Sequence, residues 1–147
     1  MNTPVTMHFT IEEMYASATA KAKGIDNKPN VQQMINLVYL CAYVLEPLRV
    51  AMNEPVRISS GYRCEKLNKA VGGVYNSQHL KGQAADLCID GDMAKGRRWF
   101  NYIRDHLPFD QLIWEHDKSD TYWIHVSFVY PDFGKNRRQV IDNLLKK

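Results

Sequence analysis

Two residues of this chain that could bind a metal ion lie in one short stretch, Ser77–Asp86. It places an imidazole at His79 and a carboxylate seven positions later at Asp86, with Gly82 between them. A loop that turns at the glycine and continues as an extended run over Ala84–Ile89 can bring the two side chains to one point. Imidazole nitrogen and carboxylate oxygen are ligands that zinc accepts, and catalytic zinc sites take three protein ligands plus a water. The stretch therefore predicts two zinc ligands and requires a third.

The best candidate for the third ligand is His125, far down the chain. Alternate side chains of an extended strand point to opposite faces, so His125 shares a face with Trp123 and Ser127. The opposite face is entirely apolar: Ile124, Val126 and Phe128. The apolar face is expected to pack into the core. His125 would then project from the opposite face of the strand. The H-x6-D spacing alone is also compatible with a hydrogen-bonded loop histidine and a turn-capping aspartate.

Glu115 is the leading candidate for a general base. Hydrolysis at a zinc ion needs a carboxylate that takes a proton from water and passes it to the leaving group. A polar turn, 116–120, separates Glu115 from the strand that carries His125, and antiparallel pairing would bring both to one cleft. His116 and Asp120 lie in the turn itself and remain alternative bases. Glu115 could also be a surface residue at a strand end.

Composition limits the other functional classes. The chain has 147 residues, 45% of them hydrophobic and 24% charged, so we expect one domain, 1–147, with peripheral tails at 1–8 and about 131–147. The net charge of +3 is mild and the basic residues form no dense cluster, so we expect no nucleic-acid partner. The apolar stretch Val38–Val44 is short, so we expect no membrane insertion, and we expect a monomer.

The N-terminal residues and the cysteines indicate where the chain is made. The first residues lack a basic start followed by an apolar run, so no signal peptide is visible and synthesis in the cytoplasm is expected. Cys41, Cys64 and Cys88 are odd in number and widely spaced, which is typical of free thiols. Cys64 and Cys88 lie near the predicted site in sequence, so a ligand role is open, although a buried structural thiol is favoured.

Capping signals predict the helices that position these residues. Thr10 with Glu13 and Asn30 with Gln33 form capping boxes, and the first helix is expected to end at Gly24. Pro47 is expected to kink or shift the second helix.

The remaining chain alternates short strands with helices. Strands are predicted at 56–60, 84–89, 111–115 and 121–129, and helices at 64–70 and 93–106. A last short helix is predicted from Val140-Ile141 and Leu144-Leu145. This order predicts an α+β domain with a small antiparallel sheet flanked by helices.

Three motifs occur in order: Ser59 followed by Gly61-Tyr62-Arg63, S-x-H-x-x-G-x-A-x-D at 77–86, and Glu115 before W-I-H-V-S at 123–127. The set resembles the zinc D-alanyl-D-alanine peptidase family, which includes carboxypeptidases and phage L-Ala-D-Glu endolysins and has the hedgehog-type fold. The resemblance covers about residues 9–130. It implies a Zn²⁺ cofactor and a peptidoglycan peptide as substrate, and it leaves D,D-carboxypeptidase and L-Ala-D-Glu endopeptidase both open.

The resemblance also implies substrate contacts. Arg63 matches an arginine that contacts substrate and transition state in the family, and guanidinium suits this role because it stays charged and presents a rigid fork of donors. Arg63 could instead form a structural ion pair. Ser77 matches a family serine that bonds substrate, or it caps the loop. Gln78 and Tyr62 are further pocket candidates.

The chain departs from the family pattern at one position. The family often carries a catalytic Glu or Asp three residues before the last ligand histidine, and Tyr122 stands there. This departure supports a second hypothesis, a zinc-containing peptide- or wall-binding module that has lost catalysis. The leading hypothesis is a zinc metallopeptidase acting on the cell wall, of the phage lysin type that is released through a membrane lesion.

Overall fold

A five-stranded sheet forms the centre of the molecule. The computed structural model describes residues 2–130 and 133–144. The strands are β1 (Arg57–Ser60), β2 (Ala84–Cys88), β3 (Gln111–His116), β4 (Tyr122–Ser127) and β5 (Gln139–Asp142). Their spatial order is β1-β2-β4-β3-β5, in which β3 and β5 run parallel and the other neighbours antiparallel. The predicted α+β class is confirmed, and the sheet is mixed, not purely antiparallel.

The helices are α1 (Ala18–Lys23), α2 (Val31–Leu40), α3 (Glu46–Met52), α4 (Glu65–Ala70) and α5 (Met93–His106), with 3₁₀ turns at Glu12–Met14, Gln78–Lys81 and Phe133–Lys135. The core lies between α2, α3 and α5 and the apolar face of the sheet. That face includes Leu87, Trp114, Ile124 and Val126, all fully buried. The opposite face of the sheet is thereby free to carry polar residues.

The predicted first helix is wrong as one continuous element. The capping box is present, since the Thr10 N–H donates to Glu13 at 2.8 Å and the Glu13 N–H donates to Thr10 Oγ1 at 3.3 Å. Only the 3₁₀ turn Glu12–Met14 follows, and α1 begins separately. The Met14 carbonyl accepts a hydrogen bond from the Tyr62 N–H at 2.8 Å. A distant segment, and not a continuing helix, therefore provides the hydrogen-bond partner of this carbonyl.

Helices α2 and α3 form one 22-residue helix, Val31–Met52, through a π-helical turn at Cys41–Leu45. The turn ends two residues before Pro47, which has no N–H to donate and crowds the preceding turn of helix. The shift predicted for this proline is therefore found as the π-helical turn. By length and composition this helix could cross a membrane, and it is longer than the expected apolar stretch. One stripe of apolar side chains on this helix belongs to the core and is fully buried: Leu37, Leu40, Cys41, Val44, Leu45 and Leu48.

The predicted last helix is wrong where the structure describes it. Gln139–Asp142 is strand β5, and its two β-branched residues suit a strand. Arg97 of α5 fixes this strand through hydrogen bonds of 2.7 and 3.1 Å to the Asp142 carboxylate. The expectation for Leu145 lies outside the described residues.

Candidate metal centre

Three side chains from separate segments meet on the polar face of the sheet. Asp86 in β2 is the direct register partner of His125 in β4, so both project to the same side. His79 comes from the 3₁₀ turn Gln78–Lys81, just before β2. The His79 Nε2 atom lies 3.3 Å from Asp86 Oδ1, and the His125 Nδ1 atom lies 3.1 Å from the same oxygen. The structure thus brings together the three residues that the sequence predicts as ligands.

Gly82 allows the loop between His79 and β2 to turn. Its φ is +73°, and a Cβ at this position would lie 2.5 Å from the carbonyl oxygen of Gln33 in α2. The loop is tied to the same helix, because the Gln33 side chain donates to the Leu80 carbonyl at 3.1 Å and Asn36 donates to the Lys81 carbonyl at 2.8 Å. Helix α2 therefore positions the loop that carries the first candidate ligand.

The hydrogen bonding of His79 fits a metal ligand. The ring is almost fully buried, and Nδ1 lies 2.6 Å from the Gly61 carbonyl oxygen. A carbonyl can only accept, so Nδ1 carries the proton in the neutral ring and Nε2 presents a lone pair. This Nε2 atom is buried and has no hydrogen-bond partner among the described residues. Its lone pair faces Asp86 Oδ1, another acceptor, and a cation between the two would satisfy both.

The spacing of the candidate ligand atoms agrees with this interpretation. All three ligand atoms lie within 4.8 Å of one another. Two ligands of a tetrahedral ion with bonds of about 2.0–2.1 Å are separated by about 3.3–3.4 Å, close to the two measured contacts. A second nitrogen bonded to a backbone carbonyl is also the usual way to orient a ligand histidine. The residues present therefore fit a zinc-sized ion.

Asp86 is held in the ionised state that a metal ligand requires. Burial alone raises the pKa of its carboxyl group, but the neighbouring imidazoles of His79 and His125 outweigh burial and hold that pKa well below its usual range. The carboxylate is therefore available as an anionic ligand throughout the neutral range.

The cluster opens into a cleft of about 570 Å³. Glu115 lines this cleft from β3, where it is the register partner of Trp123, and the neighbouring Ile113 pairs with His125. The alternative bases His116 and Asp120 are both exposed and do not line the cleft. Of the three candidate bases, only Glu115 shares the cleft with the ligand cluster.

Arg63 lines the same cleft. Its backbone N–H donates to the His79 carbonyl at 3.0 Å, which links the arginine to the ligand loop. Burial lowers the pKa of the guanidinium, while the charges of Asp86 and Glu115 raise it. Nε is buried and unpartnered, and the described residues include no salt bridge to Arg63. The alternative of a structural ion pair therefore finds no partner in the part of the chain that the structure describes.

The residues of this site fall within a recognised family pattern. The family model described as Peptidase M15 matches residues 7–127, most of the chain. The chain belongs to the peptidase M15 family. This confirms the resemblance to the zinc D-alanyl-D-alanine peptidases and makes the chain a peptidase that acts on a peptide substrate, in a family that is typically metal-dependent. No curated protein matches the chain.

Two of the three further substrate candidates line the cleft of this M15 peptidase. Ser77 Oγ accepts the His79 N–H at 3.1 Å, so it caps the ligand turn as well as facing the cleft. Gln78 donates from Nε2 to Asp110 at 2.9 Å. Tyr62 instead packs in the hydrophobic core and does not line the cleft, so the expected pocket position of Tyr62 is not found.

Tyr122 does not occupy the cleft of the peptidase. It lies three positions before His125 on β4, so its side chain points to the opposite face, where it packs against the core beside Trp114. A carboxylate at position 122 of this strand would therefore face away from the ligand cluster. Tyr122 therefore removes no carboxylate from the cleft, and Glu115 provides one there.

The cysteines take no part in the ligand cluster. Cys64 Sγ accepts the Leu67 N–H at the start of α4, and Cys88 contacts Arg57 and Asp90. Burial raises the pKa of the Cys41 thiol to about 12, so it stays protonated. All three are free thiols, as predicted.

Asp110 and Arg137 are cleft-side residues that no sequence motif indicates. Arg137 lines the cleft, and Asp110 is almost fully buried beneath it. The two are far apart in sequence and follow no motif, so their pairing has no spacing signature. The only available signal was the basic character of the C-terminal segment.

Proposed function

We propose that this M15 peptidase is a zinc enzyme that hydrolyses peptide bonds in the D-amino-acid-containing stem peptides of peptidoglycan. One observation carries the proposal: two imidazoles and a carboxylate converge in a cleft that also contains Arg63 and Glu115. His79, Asp86 and His125 would hold the ion, and this nitrogen and oxygen set suits zinc. Bound there, zinc would supply a Lewis acid that lowers the pKa of water and polarises the scissile carbonyl.

Glu115 is the proposed general base. Its carboxylate takes a proton from the attacking water and passes it to the leaving amine nitrogen. For this it must reach the water and not the ligand cluster, since the three ligands already complete the protein's share of the site. Its place in the cleft on β3, two residues along the strand from the register partner of His125, supports the role.

Arg63 is proposed to stabilise the negative charge that develops on the scissile carbonyl oxygen. A guanidinium remains protonated even when burial lowers its pKa, so it offers fixed donors at neutral pH. The backbone hydrogen bond to the His79 carbonyl keeps the arginine in register with the ligand loop. Ser77 and Gln78, on the same wall, are proposed to contact the substrate.

Cleavage of purified muropeptides with and without a chelator tests the function. We expect defined peptide products from the wild-type protein, their loss on chelation, and their return when zinc is added. His79→Ala protein, which lacks one proposed ligand, serves as the control and should give no products under any condition. Product masses separate release of terminal D-alanine from cleavage between L-alanine and D-glutamate. Binding of muropeptides without cleavage would favour the non-catalytic module.

We also propose that the peptidase acts on the cell wall after phage-type release from the cell. The mild net charge of +3 is compatible with an anionic wall polymer. Protein added to isolated walls should release soluble stem peptides. Cleavage of free peptides without any release from intact walls would contradict a wall substrate.

A further inference from the structure

Arg137 reaches the catalytic cleft from the segment beyond residue 127, where the family match ends. Its guanidinium is held by Asp110, the residue directly before β3. Arg137 Nε lies 3.0 Å from Asp110 Oδ1 and Nη2 lies 2.7 Å from Oδ2, a bidentate contact. The Arg137 backbone N–H donates to the same Oδ1 at 2.9 Å. Both the main chain and the side chain of this arginine are therefore fixed at the cleft wall.

Asp110 positions Arg137 and is not open to a ligand itself. The residue is 2% exposed, and its Oδ2 also accepts a hydrogen bond from Gln78 at 2.9 Å. With three hydrogen bonds from Arg137, four donors occupy the carboxylate. Hydrogen bonding by Arg137 holds the pKa of the Asp110 carboxyl below its usual range although burial opposes this. The pair therefore stays ionised at neutral pH.

The guanidinium of Arg137 remains open on its cleft side. The side chain is 57% exposed, and Nη1 has no hydrogen-bond partner among the described residues. Two of the three guanidinium nitrogens are anchored, so the third points its donors in a fixed direction. A rigid guanidinium of this kind recognises carboxylates through directional, charge-assisted hydrogen bonds. This leaves a ready-made contact for a carboxylate in the cleft.

Strand register locates this contact relative to the ligand cluster. Ile113 is the register partner of His125, and Gln111, at the Arg137 end of the cleft, lies two residues away along β3. Two residues of strand span about 7 Å. Glu115 lies the same number of residues away in the other direction. Arg137 and the proposed base therefore stand at opposite ends, and Arg137 is about two extended residues from the ligand cluster.

We propose that Arg137 is a specificity-determining residue that binds a substrate carboxylate about two residues from the scissile bond. The peptidase then prefers acidic peptides that extend along the cleft. This inference rests on the proposed peptidase function and narrows it. A carboxypeptidase that removes one residue places the terminal carboxylate directly beside the scissile bond, so a carboxylate that reaches Arg137 belongs to a residue further along the peptide.

Pairs of peptides that differ only in a carboxylate or a carboxamide, placed two residues before or after the scissile bond, test the proposal. At one of these two placements, we expect the wild-type kcat/KM to be about 10- to 100-fold higher for the carboxylate peptide than for the carboxamide peptide, the range for a hydrogen bond to a charged group. Arg137→Gln combined with Asp110→Asn avoids a buried unpaired carboxylate and should bring the ratio near one. As a matched control, Arg97→Gln breaks the bidentate contact to Asp142 outside the cleft and should keep the ratio.

Calorimetric binding of the same peptides to the zinc-loaded protein separates this proposal from the proposed function. If neither peptide is hydrolysed, the proposed function fails, and an acid preference in binding still supports the Arg137 site. Equal or undetectable binding of acid and amide at both placements overturns the Arg137 site, as does a double variant that keeps the wild-type ratio. If the double variant does not fold, Arg137→Lys is measured in its place. It keeps the charge without the fork and should retain only part of the preference, so full retention also overturns the proposal.

Discussion

The two ring nitrogens of His79 have different partners and different chemical roles. Nδ1 is tied to the Gly61 carbonyl, and Nε2 is directed at the carboxylate of Asp86. A hydrogen bond on one nitrogen fixes the tautomer and the ring plane, which leaves the other nitrogen as a preoriented ligand. Gly61 itself has no room for a side chain, because a Cβ would lie 2.0 Å from the Met14 carbonyl oxygen. A backbone contact thus sets the chemistry of one side chain.

Replacing Glu115 should separate metal binding from catalysis. Glu115→Gln keeps the shape of the side chain but cannot accept a proton. We expect full zinc content with hydrolysis reduced by about a hundred- to ten-thousandfold, the contribution of general base catalysis. The measurements are zinc stoichiometry and hydrolysis rate on the same preparation.

Two neighbours of Glu115 provide the controls for this prediction. His116→Ala and Asp120→Asn alter exposed residues outside the cleft and should leave hydrolysis near the wild-type rate. A fully active Glu115→Gln protein would rule out Glu115 as the base. An inactive control variant with full zinc content would then identify the base in its place.

The geometry of the Arg63 side chain should matter more than its charge. Arg63→Lys keeps a cation but loses the planar fork of donors. We expect turnover to fall by about ten- to a thousandfold, the range for one transition-state donor, with fold and zinc content unchanged. Steady-state kinetics with circular dichroism and metal analysis measure this. Wild-type turnover in the lysine variant would contradict a transition-state role.

At the scale of elements, local signals predicted most of the fold. Asp92 caps α5, whose bounds Met93–His106 match the prediction, and the Asn30–Gln33 capping box begins α2 as expected. These signals succeed because a cap and its helix are adjacent in sequence. The H-x6-D stretch and strand alternation likewise placed three ligand candidates on one face, because Gly82 and the two-residue strand period are local properties too.

The features that sequence did not predict depend on distant partners. The first helix breaks after Met14 because its carbonyl bonds to Tyr62. The C-terminal residues form β5 because β3 offers a free edge there. Asp110 and Arg137 meet only through the folded sheet. In each case a long-range contact outweighs or replaces the local preference. A contact between distant residues does not appear as a motif in a single sequence.

Replacing Gly82, the loop glycine before β2, should destabilise the protein by more than its backbone conformation alone explains. Gly82→Ala costs about 1–2 kcal/mol for the left-handed backbone, and its Cβ would also meet the Gln33 carbonyl. Gly91 is the matched control, because its φ is +75° and no atom of the described residues lies within 4 Å of a Cβ there. Urea unfolding should therefore show a larger loss for Gly82→Ala than for Gly91→Ala, with weaker zinc binding only in Gly82→Ala. Equal losses would contradict a packing role for Gly82.

At the scale of the whole molecule, the proposed metal joins parts of the chain that fold from different elements. His79 belongs to the loop packed on α2, Asp86 to β2, and His125 to β4. The unfolded chain does not hold these groups together, so a metal binds the folded state preferentially. Metal affinity and folding stability are then linked quantities.

Removing the metal should therefore lower the melting temperature. At a free zinc concentration about 100 times Kd, a single site adds about 2.7 kcal/mol to the free energy of unfolding, which for a chain of this size corresponds to roughly 5–10 °C. Differential scanning calorimetry of the chelated and the zinc-loaded protein measures this difference. His79→Ala protein should melt at the same temperature with and without zinc, whereas Glu115→Gln protein should keep the full shift. A zinc-dependent shift of wild-type size in His79→Ala would mean that zinc stabilises the protein from a site other than this cluster.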